Sequence, residues 1–463
     1  MKNSSFIALS TPYYSFDPRA KIIFTLLILL IFRIGNAITV PYVNTDLLGN
    51  YLNSMSTTVL GLYNVMSGGA FAQATVFALS IQPYINSSII IQLLTIAIPA
   101  LERLARDGGE EGKKKIQSIT RYTTVAIALL QGFGYYMLMK NYGLLSVAEP
   151  TVWHALVIII SFVAGSSFVM WMGEQVTEFG VGNGISIILF AGILSRIPTM
   201  VSNAIESVRL NSAIKAGTVT LDSVMSGMGY TEKQAQSYLD SAISPVGVVL
   251  LIVGMLALIV FIVFINDAER RIPVQYAKRQ VGRKMYGGQS SNLPMKVNMS
   301  GVLPIIFAQS IASLPATVAA FLKAPEEGTF AYSFLQAIDT KSILYMVVYF
   351  LMIIAFSYFY ATIQFNPVEI ANNLKKQGGF IPGFRPGKPT VDFIKKVLNK
   401  ITLFGAIYLG IVAICPLIAG KFVNNAALSI GGTSVIIVVG VALETVKALE
   451  TQMLMRQYKG FLE

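Results

Sequence analysis

The chain carries a single histidine, His154, and a single cysteine, Cys415, in 463 residues. A lone cysteine has no internal disulfide partner, and one Cys with one His falls short of the ligands a structural zinc site needs. A serine nucleophile could be sought in the stretch GGTS at 431–434, but His154 is the only base of its type and no HExxH motif occurs. That stretch reads better as close helix packing. No P-loop is present, so energy for any driven process must come from a partner. The expectation is a non-enzymatic protein with no catalytic residue, no metal and no cofactor.

A second kind of chemistry, ion-coupled transport, normally places acidic or basic side chains at mid-membrane depth. Here the apolar runs are almost free of them. Arg33 lies well inside the first run and reads as snorkelling to an interface. Arg196 falls towards the end of the fifth run, and Glu444 and Lys447 towards the end of the tenth. Two designs remain: a solute transporter with broken helices and a polar midplane site, or a passive conduit with an apolar seal. The lack of coupling charges counts against the first.

The elements that would hold such a path follow from composition. Hydrophobic residues make up 54% of the chain and charged residues 13%, with a net charge of +12. A soluble domain carries about 25% charged residues, so this is a polytopic membrane protein. Runs near the roughly 20 residues needed to cross a bilayer lie at 22–40, 77–99, 119–139, 152–172, 185–201, 246–265, 302–322, 343–363, 402–420 and 430–449. The expected fold is therefore all-α with ten transmembrane helices, since no ten-residue alternating pattern suggests a barrel. The first run is too long for a signal-peptide core and lacks a small-residue cleavage site, so it reads as a retained helix.

Lys and Arg cluster in alternate loops, at Arg103 to Lys115, at Arg270 to Lys284 and at Lys375 to Lys396. The positive-inside bias puts these loops and both termini in the cytoplasm. Two of the loops, 266–298 and 365–400, exceed what orientation requires and mix basic residues with Gly and Pro turns, a combination that usually carries function. On the opposite side, 203–244 forms a polar insert with a helix-compatible stretch at 231–242. Ahead of the second run, YNVMSGGAFAQA at 63–74 is too short to span and is softened by Ser67, Gly68 and Gly69. It reads as a re-entrant half-helix, tolerated only where it is buried in protein or lines a cavity.

Several stretches then resemble a known family. NVMSGGA at 64–70, IQPYINSSIIIQLL at 81–94, GEQVTEFGVGNGIS at 173–186, YAKRQVGRK at 276–284, LPMKVN at 293–298, FNP at 365–367, NLKK at 373–376 and PGFRPG at 382–387 occur in the order of the bacterial SecY family. The resemblance covers nearly the whole chain, with 203–244 the main departure. It implies the central subunit of a protein-conducting channel in the plasma membrane. Two pseudo-symmetric inverted halves would lie at 1–202 and 245–463, opening to lipid between the second and seventh spans. Translocating chains would be signal-bearing and unfolded, and apolar segments would pass into membrane lipids. The implied partners are SecE, SecG, the motor ATPase SecA and the ribosome.

Carried over by position, the resemblance implies an apolar pore ring of Ile81, Ile85, Leu189, Ile306 and Ile437. Leu189 stands where the family often has Ile, which leaves the seal apolar. It implies a plug around 63–75 containing Asn64, Ser67, Gly68, Gly69 and Phe71. A polar lateral gate would use Asn86, Gln131 and Asn298, with a hydrogen bond between spans holding it closed. Arg279, Arg283, Lys284 and Arg385 match positions that engage SecA or ribosomal RNA. Lys284 stands where Arg is also found, which weakens bidentate phosphate contact, so Arg385 is the stronger docking candidate.

Overall fold

The computed structural model describes residues 18–54, 59–106, 108–147, 149–220, 223–225, 236, 239, 242–276, 279–281, 284–286, 290–299, 301–321, 342–423 and 426–459. Nine helices come first: α1 (Pro18–Gly35), α2 (Thr45–Ser54), α3 (Val59–Met66), α4 (Gln82–Ala97), α5 (Pro99–Arg106), α6 (Gly109–Asn141), α7 (Val152–Phe179), α8 (Gly184–Leu194) and α9 (Ile197–Lys215). Next come α10 (Pro245–Asp267), strands β1 (Glu269–Tyr276), β2 (Arg279–Val281), β3 (Lys284–Tyr286) and β4 (Ser290–Lys296), and α11 (Leu303–Phe321). The chain continues through α12 (Ile343–Gln364), α13 (Pro367–Lys376), β5 (Gly379–Phe380), α14 (Lys388–Val423) and α15 (Ala426–Lys459).

Each of the ten apolar runs carries a helix, with informative shifts. Among the described residues five helices are long and apolar enough to cross a membrane. A sixth joins them if α4 and α5, bent by 105° at the Ile98–Pro99 junction, count as one broken span. The second run is helical only from Gln82, because 77–81 is a series of turns with Ser80 at φ 49°. The first helix stops at Gly35, after which the chain turns and bridges Thr39 to Thr75. The fifth run breaks at Ser195–Arg196, just before Pro198, and α9 then continues through Lys215 into the outer insert. Most of 231–242 lies outside the described residues.

Local chemistry starts and stops these helices. Ser244 accepts from Gly247 N ahead of Pro245, and Asn183 accepts from Ile185 N at 3.0 Å. Each satisfies an N–H that a first helical turn leaves free. His154 is spent in the same way: its Nδ1 accepts from the Thr151 backbone at 3.1 Å, closing a capping box on α7. The one candidate general base is therefore a helix cap on the protein surface.

Helices α1 and α4–α8 pack mainly among themselves, as do α10–α12, α14 and α15. The two sets meet where α11 lies on α3, α4 and α6, and where α15 lies on α3 and α8. Around α10 almost nothing is buried apart from Ile262, so its Val, Leu and Phe side chains face outward, as expected of a lipid-facing span.

The all-helical expectation needs one addition. The two long basic loops fold together into a small β platform, in which β1 pairs antiparallel with β4 along its length and with β5 at Gln275–Tyr276. Ile272, Val274 and Met295 from the hairpin pack with Leu374, Ile381, Ile394 and Val397 into a separate apolar core. Alternation of apolar residues at 272 and 274 was the available signal, but the intervening Arg and Pro residues read more strongly as loop.

Candidate functional site

The segment expected to form the plug starts as a helix and ends as a knot of turns. The expected half-helix lies earlier than 63–75: α3 ends at Met66, and Ser67 onward is non-helical. Gly68 and Gly69 explain the break, with φ of 72° and 92°, values that side chains with a Cβ rarely adopt. Gly68 is also required for space, since a Cβ there would lie 2.9 Å from the Gly192 carbonyl of α8. Side chains then tie the turns. Asn64 Oδ1 accepts from Ala72 N at 3.0 Å, and Ser67 Oγ accepts from Phe71 N at 3.0 Å. Phe71 stacks on Tyr135 of α6 at 4.3 Å, and the Tyr135 hydroxyl donates to the Phe71 carbonyl.

This segment touches both helix sets. Met66 joins the central apolar core, and its sulfur accepts from Gln82 Nε2 at 3.0 Å. The buried Tyr63 phenol lies beside the Ser313 and Thr317 hydroxyls of α11. Those two contacts were not foreseen, because nothing in the spacing of 63 against 313 and 317 indicates that they meet.

Ile81, Ile85, Leu189, Ile306 and Ile437 all lie in the central apolar core. Each is at most 3% exposed, and all five belong to one apolar cluster that also holds Met66. Ile81 sits one residue ahead of α4 rather than within it, and Ile85 follows one turn later, its N–H donating to the Ile81 carbonyl at 3.1 Å. Leu189 comes from α8, Ile306 from α11 and Ile437 from α15. Aliphatic groups from two helices of each set thus share one apolar core, in which dispersion contacts impose no fixed spacing.

The polar positions behave differently. Asn298 does not bond Gln131. Its Nδ2 donates to Asn266 Oδ1 at 2.9 Å, inside the second helix set. Asn298 precedes α11, in the turn after β4, where Val297 N donates to the Ala268 carbonyl and holds the turn against the end of α10. Asn86 Nδ2 and Gln131 Oε1 are buried without hydrogen-bond partners among the described residues, and so is Oε1 of Gln309, a buried amide of α11.

Of the basic positions, Arg279 and Lys284 fall on the β2–β3 ribbon, in which Val281 pairs with Lys284. Arg283 lies outside the described residues. Arg385 is exposed on a short, stiff turn between Gly383 (φ 87°) and Gly387 (φ 113°). Its carbonyl accepts from Thr390 Oγ1 at 2.8 Å, and neighbouring Phe384 packs on Phe393 at 4.2 Å. The turn follows β5, so the β1–β5 pairing joins the two basic loops on one platform.

A helical multi-pass membrane protein in which two helix sets meet over a buried apolar core, with a re-entrant segment packed against it, is the class these features define. The chain belongs to the SecY family. The SecY family model matches residues 75–446. Protein translocase subunit SecY of Streptomyces scabiei is 40% identical over 457 residues, covering 96% of this chain and 97% of that one. The corresponding protein of Halalkalibacterium halodurans is 41% identical over 449 residues, with the same coverage. Among solved structures, one described as a protein conducting channel has a TM-score of 0.60 at 15% identity, covering 94% of this chain and 92% of that chain. Sec61 from a canine ribosome–channel complex gives 0.55 at 14%, covering the same shares. At those identities the structures speak for the fold.

Proposed function

We propose that this chain is the channel subunit through which unfolded, signal-bearing polypeptides cross the bacterial plasma membrane, with apolar segments leaving sideways between α4 and α11. One observation supports this most: Ile81, Ile85, Leu189, Ile306 and Ile437, drawn from both helix sets, are all buried in one apolar core that the end of α3 joins through Met66. A ring of that kind excludes water when closed and deforms around any passing side chain, since dispersion contacts need no fixed partner. The exit between α4 and α11 suits a signal core, which gains by trading water for lipid and apolar helix faces.

The proposed partners are SecE and SecG in the membrane, and SecA or a ribosome on the β platform, with both termini in the cytoplasm. Arg385 on its exposed turn is the docking residue, and Arg279 and Lys284 on the ribbon, together with Arg283, add charge. The test is reconstitution with SecE in liposomes, followed by addition of SecA, ATP and a precursor. Signal-dependent protease protection is expected, and Arg385→Glu is expected to reduce it at least tenfold while the protein stays folded. A lost charge-assisted contact of about 1.5–3 kcal/mol accounts for that factor. Absence of protection with active SecA would contradict the channel reading, and unimpaired protection with Arg385→Glu would remove its docking role.

A further inference from the structure

Glu444, towards the end of the last apolar run, is the one acidic residue within it. Its carboxylate lies against Gly301 in the turn that leads into α11, with the backbone N–H of Val302 as the donor within its reach and Lys296 on the wall of the same cavity. The first N–H groups of a helix have no intrahelical partner and carry the positive end of its dipole, so an anion there is stabilising. Here the anion is supplied by a different helix, α15.

The surroundings are shaped to admit it. Gly301 takes φ 64°, and a Cβ at that position would lie 2.4 Å from Glu444 Oε1. Gly440, one turn earlier on α15, is equally committed, because a Cβ there would meet Val302 Cγ2 at 2.0 Å. Ile437, Gly440 and Glu444 are three and four residues apart and so share one helix face. On the other side, Ile306 follows Val302 by one turn, its N–H donating to the Val302 carbonyl at 3.3 Å. The same two faces that carry the Glu444 contact therefore carry Ile437 and Ile306. Beside the carboxylate lies a cavity of ≈470 Å³, lined among others by Lys296, Asn298, Tyr360 and Gln364, which leaves room for the turn to move if the bond is lost.

We infer that Glu444 is a positioning residue: it pins the entry turn of α11 to α15 and thereby fixes the distance at which Ile306 meets Ile437. The functional half of this statement rests on the ring reading, and the pinning itself does not. Hydrogen exchange of the segment around Val302 in the reconstituted complex measures the pinning directly. Glu444→Ala is expected to speed exchange there by at least about tenfold, the factor for one charge-assisted bond, while Glu444→Gln, whose carbonyl still accepts, recovers most of the protection. Unchanged exchange in Glu444→Ala overturns the inference. Resting ion conductance supplies the second arm: Glu444→Ala should leak and Glu444→Gln should not. Faster exchange with parental conductance would keep the pin and overturn its role in holding the ring, a result distinct from failure of the channel reading itself.

Discussion

With Ile81, Ile85, Ile306 and Ile437 all replaced by glycine, the resting protein conducts ions across a planar bilayer, whereas the parent channel stays silent. The four side chains are buried in the same apolar core as Leu189 and Met66. A closed apolar constriction blocks ions because water is not stable in it; widening the constriction by four branched side chains lets water remain, and ions follow. The deletions also cost stability, about 2–5 kcal/mol for each large aliphatic side chain removed from a packed core. The alanine series, which retains four Cβ atoms, is therefore measured beside it, with folding checked in both. Conductance rising in the order parent, alanine, glycine is the expected pattern. Silence in a folded glycine variant would end the assignment of these residues to the seal.

Gly165→Ala is expected to disable the channel from a position that touches none of the ring. A Cβ at Gly165 of α7 would lie 1.9 Å from the Val76 carbonyl oxygen, a backbone atom that cannot swing aside. Val76 is itself held by its N–H bond to the Ile38 carbonyl at 2.9 Å, and next to it Phe77 stacks between Phe32 and Phe168. A Cβ over Gly35 would in turn strike the Phe77 ring at 1.8 Å. The segment returning from the plug to α4 is thus clamped on two sides by residues without side chains. Overpacking of this kind costs about 1–3 kcal/mol and here shifts backbone rather than a rotamer. A fall in thermal stability together with resting ion leak is expected. Parental stability and conductance would show that the return segment tolerates displacement.

Much of this arrangement was legible in the residues, and the exceptions have physical causes. The long apolar runs announced their helices because lipid leaves the backbone no other partner. Boundaries failed where turn chemistry overrode hydropathy. Phe77 to Ile81 is as apolar as the helix it precedes, but the strand-like return between Gly165 and Ile38 requires turns. For the plug, glycines at 68 and 69 signalled a break, yet they end the helix instead of lying within it. Positions of the ring came from the resemblance and not from pattern, since one buried Ile looks like any other. Pairing of side chains was the least legible feature. Asn298 and Gln131 are both amides, but Asn298 precedes α11 instead of lying on it and finds Asn266. Tyr63 finds Ser313 and Thr317 across some 250 residues of sequence. The β platform was obscured because its strands are short and basic, and their stability comes from an apolar core assembled by two separate loops.

The central claim is that a translocating chain passes through the aliphatic cluster. A precursor carrying a photoreactive residue, stalled midway by a folded C-terminal domain and irradiated in the reconstituted complex, tests it directly when the adducts are mapped by mass spectrometry. Adducts at Ile81, Ile85, Leu189, Ile306 and Ile437 are the predicted result. Adducts confined to outward-facing positions such as Val249, Leu250 and Val260 of α10, with the cluster untouched, would contradict it.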